Sequence, residues 1–106
     1  MDKKTASYLG FARKSGNLIT GTDTCMRAGK SGRIKLLIIC EDTAEGSKKK
    51  MVKLARDNGI EYRIFGSSEQ LSHAAGHSSR YIFGITDAGF ADVIIDQIDK
   101  NREVSL

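Results

Sequence analysis

The chain has 106 residues, 40% hydrophobic and 28% charged, with a net charge of +4, enough for one globular core and too little for two. Its longest apolar stretch, Leu36 to Cys40, is far too short to span a bilayer, and two cysteines without metal-ligand spacing argue against a disulfide framework or a zinc site. Charge is uneven: residues 1–35 carry eight basic and two acidic side chains (+6) and residues 36–106 carry nine and eleven (−2), an asymmetry that steers a polyanion and makes nucleic acid the first partner to test.

Asp2 is placed to cap a helix over Lys3 to Lys14, with Thr5, Tyr8, Leu9 and Ala12 on one face and Gly16 ending it. Leu18 to Thr20 reads as a short strand. Thr20, Gly21 or Thr22 then caps a second helix to about Ser31, stopped by Gly32. Ile34 to Cys40 is nearly all apolar, as a central strand covered on both faces should be. Thr43 opens a third helix in which Ser47, Met51, Leu54, Ala55 and Asn58 share a face, and Gly59 closes it. Ile60 to Phe65 is a further strand. Ser67 and Gln70 have capping-box spacing for a short helix through Ala75, with Gly76 at its end. Tyr81 to Ile85 is the last strand. Thr86 or Asp87 caps a final helix that buries Phe90, Val93, Ile94 and Ile98 and shows Asp92, Asp96 and Asp99 to water. A helix followed by four strand–helix units predicts an α/β fold, a three-layer α/β/α sandwich around a four-stranded mixed sheet. Residues 1–100 form the single domain and 101–106 a fraying tail. Cys25 and Cys40 read as small buried apolar residues in a reducing cytoplasm.

The segment with the most chemistry is Gly21-Thr22-Asp23-Thr24-Cys25-Met26-Arg27, where a strand hands over to a helix and free backbone N–H groups meet the positive helix end. Asp23, Thr24 and Arg27 share a face, so a carboxylate, a hydroxyl and a guanidinium point one way. This set suits guanine edges, the carboxylate accepting from N1–H and N2–H and the guanidinium taking phosphate or O6/N7. The same spacing equally suits an Asp23 that complements the helix dipole and pairs with Arg27 in solvent.

Lys14-Ser15-Gly16-Asn17-Leu18-Ile19-Thr20-Gly21-Thr22-Asp23-Thr24, then Gly32 to Asp42, Asn58-Gly59-Ile60 and Leu71 to Gly76 together resemble the ribosomal kink-turn RNA-binding family, the L7Ae and L30e group. The resemblance spans nearly the whole chain. It implies an α/β/α sandwich that binds sharply bent internal loops built on tandem sheared G·A pairs, with ribosomal RNA the expected class and the ribosome or translation factors as possible company. By position, Gly21 matches a family glycine that allows close backbone approach. Asp23 stands where asparagine is usual, Thr24 where glutamate is usual and Arg27 where lysine is usual. Thr22 belongs to the same entry segment. Ser78, Ser79 and Arg80, in the loop before the last strand, correspond to a second RNA contact, donating to phosphate or sugar. Lys14, Lys30, Arg33 and Lys35 would add phosphate contacts, and Glu41 would brace the basic residues that meet RNA, with Arg27 one candidate, rather than touch RNA itself.

Other features fit blander readings. Lys48-Lys49-Lys50 is a solvated helix face or a second phosphate contact. Glu41 and Asp42 with His73 or His77 would make an acid/base or metal set, yet no nucleophile accompanies them. An acidic last helix docking on translation or transcription machinery is the alternative to RNA binding. The expectation is a cytoplasmic, non-enzymatic monomer with no cofactor, metal or membrane contact.

Overall fold

A computed structural model describes the backbone of residues 1–104 and the side chains of residues 1–101. Nine elements follow in order: α1 (Lys3–Lys14), β1 (Leu18–Thr20), α2 (Thr22–Lys30), β2 (Leu36–Ile39), α3 (Glu45–Asp57), β3 (Glu61–Ile64), α4 (Ser68–Ala74), β4 (Ile82–Ile85) and α5 (Ala88–Val104). The four strands form one sheet in the order β1-β4-β2-β3. β4 runs antiparallel to both β1 and β2, whereas β2 and β3 are parallel. The expected mixed sheet is therefore present.

Side-chain alternation along the strands builds two cores. Leu36, Ile38 and Cys40, with Phe83 and Ile85, pack with Leu9, Leu71, Ile94 and Ile98 of α1, α4 and α5. Leu37 and Ile39, with Ile82, pack with Cys25, Ala28, Met51 and Leu54 of α2 and α3. Every β2 residue is fully buried, which is what an apolar run without polar alternation requires. Each such side chain contributes on the order of 1.5–3 kcal/mol on leaving water.

Three helix starts carry a side-chain cap, and α2 and α3 do not. Asp2 Oδ1 accepts from Thr5 N–H at 3.0 Å, Ser67 Oγ from Gln70 N–H at 3.1 Å, and Asp87 Oδ2 from Phe90 N–H at 2.9 Å, so Asp87 rather than Thr86 caps α5. α2 starts behind Gly21, and α3 starts at Glu45 behind Ala44, not at Thr43. The Thr43 hydroxyl is instead buried without a partner. The strands are shorter than their apolar runs, yet pairing continues past them: Lys35 N–H reaches Ile85 O at 2.7 Å and Cys40 N–H reaches Tyr81 O at 3.0 Å.

The last helix departs from expectation in three places. Val93 is 39% exposed, because the buried stripe follows Ala91, Ile94 and Ile98 and turns residue 93 outward. Asp99 is not left to water: Arg63 Nε and Nη2 hold its two oxygens at 2.9 and 3.0 Å. Helical backbone also runs on to Val104, through most of the expected tail. Ser105 and Leu106 lie outside the described residues.

Candidate nucleic-acid interface

The pairing registers define two ends of the sheet. At one end Thr20, Ile39 and Ile82 meet the loops that follow β1, β2 and β3 and the loop that precedes β4. At the other, Leu18, Leu36 and Ile85 lie level. Gly21 to Thr24, Glu41, Asp42 and residues 76–80 therefore gather at the first end.

Gly21 is the cap of α2 at φ +98° and ψ 150°, and no side chain bonds the exposed helix start. A side chain at that φ is strained, while a Cβ there would touch nothing within 4 Å. Glycine is thus required by conformation and leaves the approach open. The Gly21 N–H donates to Ile82 O at 3.0 Å, tying the turn to β4. Beyond it, Asp23, Thr24 and Arg27 are exposed on one face of α2 while Cys25 and Ala28 point into the core. Among the described residues Asp23 and Arg27 form no ion pair with each other or with anything else. Mutual neutralisation, one of the two readings of this spacing, is therefore not what the structure adopts.

A cleft of about 360 Å3 adjoins this helix start, with Thr22, Asp42, Thr43, Ser47 and Tyr81 among its walls. A second, of about 330 Å3, runs beneath the 76–80 loop and includes Ser78, Ser79 and Tyr81. Tyr81, 45% exposed, stands between the two clefts. Sequence reading places it in a strand and assigns it no role; an aromatic at the first position of a strand, next to the site loop, was the available signal. Ser79 has φ +54°, and the buried Ser72 hydroxyl accepts from Arg80 N–H at 2.9 Å and donates to Arg80 O at 3.0 Å. The loop is therefore fixed to α4 rather than held by its own turn.

Two expectations change. Glu41 does not brace Arg27. Its N–H donates to Gly66 O at 2.8 Å, and Lys48 Nζ takes its carbonyl at 3.2 Å. This anchorage sets Glu41 in a separate cleft beside Met1, Asp2, Phe65, Gln70 and Asn101. Asp42 is also occupied, accepting from the N–H and the hydroxyl of Ser68, which holds its carboxyl below the usual carboxylate range. The basic half of the chain does not form one face either. α1 and α2 lie on opposite faces of the sheet, both against the edge strand β1. Lys14, Lys30, Arg33 and Lys35 sit at the far end of the sheet from Gly21, by the Leu18–Ile85–Leu36 level. Nine residues of α2 separate the two ends by roughly 13 Å. Lys30 nonetheless lies on the same exposed face as Asp23 and Arg27, so a cationic stripe leads away from the open helix start.

Both cysteines are fully buried, and burial pushes each thiol up to about 12. No described helix is long and apolar enough to cross a membrane, and the described residues contain no cluster of three metal-ligating side chains.

Comparison with known proteins agrees with this geometry. A Bacillus halodurans protein of unknown function superposes with a TM-score of 0.89 at 30% identity, covering 92% of this chain and 99% of that one. The Giardia lamblia 15.5kD RNA binding protein shares the fold at a TM-score of 0.76 and 16% identity, over 94% of this chain and 92% of its own. RNA-binding protein YlxQ of Bacillus subtilis (strain 168) is 26% identical over 91 residues, 86% of this chain and 91% of the relative. The protein of the same name from Enterococcus faecium is 28% identical over 93 residues, 84% of this chain and 85% of its own. The mixed sheet, the open start of α2 and a family model matching residues 3–95 lead to one assignment: the chain belongs to the Ribosomal protein L7Ae/L30e/S12e/Gadd45 family.

Proposed function

We propose that this protein is a non-enzymatic RNA-binding protein that recognises kink-turn-like internal loops in structured RNA, with ribosomal RNA as the target class and the cytoplasm as its place of work. The observation that carries this reading is the open amino end of α2, where Asp23, Thr24 and Arg27 stand exposed and unpaired. Membership of the family and the names of the two relatives support it.

In this reading Gly21 lets the backbone come close to a base edge. Thr22 and Thr24 offer their N–H and hydroxyl groups beside it. Asp23 accepts from guanine N1–H and N2–H, and Arg27 takes O6/N7 or the adjoining phosphate. Lys30, Arg33 and Lys35 continue along the flanking backbone from α2, with Lys14 reaching it from α1. Ser78, Ser79 and Arg80 bond the phosphate or sugar of an unpaired nucleotide.

The test is a titration against two RNAs that differ only in the internal loop, one with tandem sheared G·A pairs and one with Watson–Crick pairs in their place. Preference for the first by about tenfold or more is expected, from one or two base contacts of roughly 1–3 kcal/mol each. Equal affinity refutes loop recognition, and no binding to either refutes the RNA reading.

A further inference from the structure

β3 is an outer strand of the sheet, with β2 on one side and, among the described residues, no strand on the other. Phe65 N–H donates to Ile39 O at 2.9 Å. Strand alternation therefore turns the backbone groups of Glu61 and Arg63 toward β2 and those of Tyr62 outward. Tyr62 N–H has no acceptor among the described residues. Tyr62 O accepts from Arg63 Nη1 at 2.9 Å, which leaves the carbonyl a second lone pair. A groove of about 650 Å3 runs along this edge, lined by Gly59 to Ile64, and the chain has no proline to guard it.

The edge is complementary to itself. Ile60, Tyr62 and Ile64 pack, partly buried, on the α2–α3 side, and Glu61 and Arg63 alternate to the other side, where Arg63 holds Asp99. Laid antiparallel on its own copy about Tyr62, the run Ile60-Glu61-Tyr62-Arg63-Ile64 sets Glu61 opposite the partner's Arg63 and Ile60 opposite the partner's Ile64. Outward backbone groups make the Tyr62 centre a hydrogen-bonded pair and place each Glu61–Arg63 couple in the closer, non-hydrogen-bonded position. Glu61 is 63% exposed and accepts from its own Arg63 at 3.0 Å, keeping lone pairs for a second guanidinium. Centring on Glu61 would oppose two carboxylates, and on Arg63 two guanidinium groups, both destabilising. Beside the strand, Val52 and Ile64 help wall a groove of about 400 Å3, which the partner's Ile60 would enter. The cations bordering that groove, Lys49, Lys53 and Arg56, repel their copies and keep the association weak and salt-dependent.

We propose that β3 pairs antiparallel with β3 of a second copy, centred on Tyr62, joining the two sheets into one. A weak two-fold dimer then replaces the expected monomer, with the open starts of α2 at opposite ends of the joined sheet. This pairing goes beyond RNA recognition and does not depend on it.

The experiment is sedimentation velocity of the full chain without RNA, from about 20 μM to 1 mM in about 0.15 M salt. The mass is expected to rise from one chain toward two. Glu61→Arg meets the partner's Arg63 in both couples and is expected to weaken the dimer about tenfold or more. Its exposed site preserves the fold, which urea unfolding checks. Tyr62→Cys is expected to give a disulfide-linked dimer on mild oxidation, with Cα atoms about 5.5 Å apart. Glu61→Cys, about 7–8 Å from its copy, should crosslink more slowly, and the buried Cys25 and Cys40 add no background. A monomer throughout overturns the pairing and leaves the edge to another strand donor. A dimer undiminished in Glu61→Arg, or Tyr62→Cys crosslinking no faster than Glu61→Cys, puts the interface elsewhere and overturns it as well.

Discussion

Replacing Arg27 by alanine separates binding from folding more sharply than any other change on α2. Its side chain is exposed and holds no acid, so its removal orphans no partner and leaves the buried residues Cys25 and Ala28 in place. Alanine is also the better helix former, by a few tenths of a kcal/mol at most. Urea unfolding of Arg27→Ala should therefore match wild type within about 0.5 kcal/mol. RNA binding should not match. Losing one guanidinium fork from a phosphate or guanine costs about 1–3 kcal/mol, roughly 5- to 150-fold in Kd. The slope of log K against log salt should shrink by about 0.7–0.9 if the contact is to phosphate, and stay constant if it is to a base edge. Filter-binding titrations across a salt series measure both. Unchanged affinity with an unchanged salt slope would refute the reasoning, because it would place Arg27 outside the interface.

Gly29→Ala should destabilise the fold by about 0.5–2 kcal/mol: the new Cβ would lie 2.9 Å from Leu54 Cδ2 where α2 crosses α3, and overpacking outweighs the helix-propensity gain. A rise in the urea midpoint would show the opposite balance. Asp42 ionises below its ordinary 3.8 because Ser68 bonds the carboxylate, so its stabilising effect is complete above 3.8 and is lost as pH falls through the lower folded value. Asp42→Ala should accordingly lose less stability than wild type on acidification, and parallel Tm–pH curves would count against the Ser68 contact. With both thiols pushed up to about 12 by burial, native protein should resist alkylation at neutral pH and react fully once unfolded; rapid native labelling would contradict the packed environment of Cys25 and Cys40.

Much of the fold is visible in the sequence because local chemistry and burial agree there. The run Leu36 to Ile39 has no polar alternation, and it becomes a strand buried on both faces. Asp2, Ser67 and Asp87 sit where caps are needed and act as caps. The start of α3 was not legible, since Thr43 has the better capping side chain yet its hydroxyl is turned into the protein. Periodicity assigned Asp99 to a polar face but could not supply its partner, which lies 36 residues away on β3. Spacing along α2 grouped Asp23, Thr24 and Arg27 correctly on one exposed face. It had no way to reveal that strand direction sends Lys14, Lys30, Arg33 and Lys35 to the opposite end, or that Arg13 reaches over Gly76. Those are consequences of topology, which a one-dimensional pattern does not contain.

The position of β4 also governs when the architecture can be completed. Residues 82–85 lie between β1 and β2, so a nascent or truncated chain ending before residue 82 has no neighbour for Leu18 to Thr20, and the turn at Gly21 loses its anchor on Ile82 O. Such a piece can close the β2–α3–β3 crossover early, since its pairing is the more local one. The start of α2 would then be among the last parts to be seated, since its anchor at residue 82 comes after all the other strands.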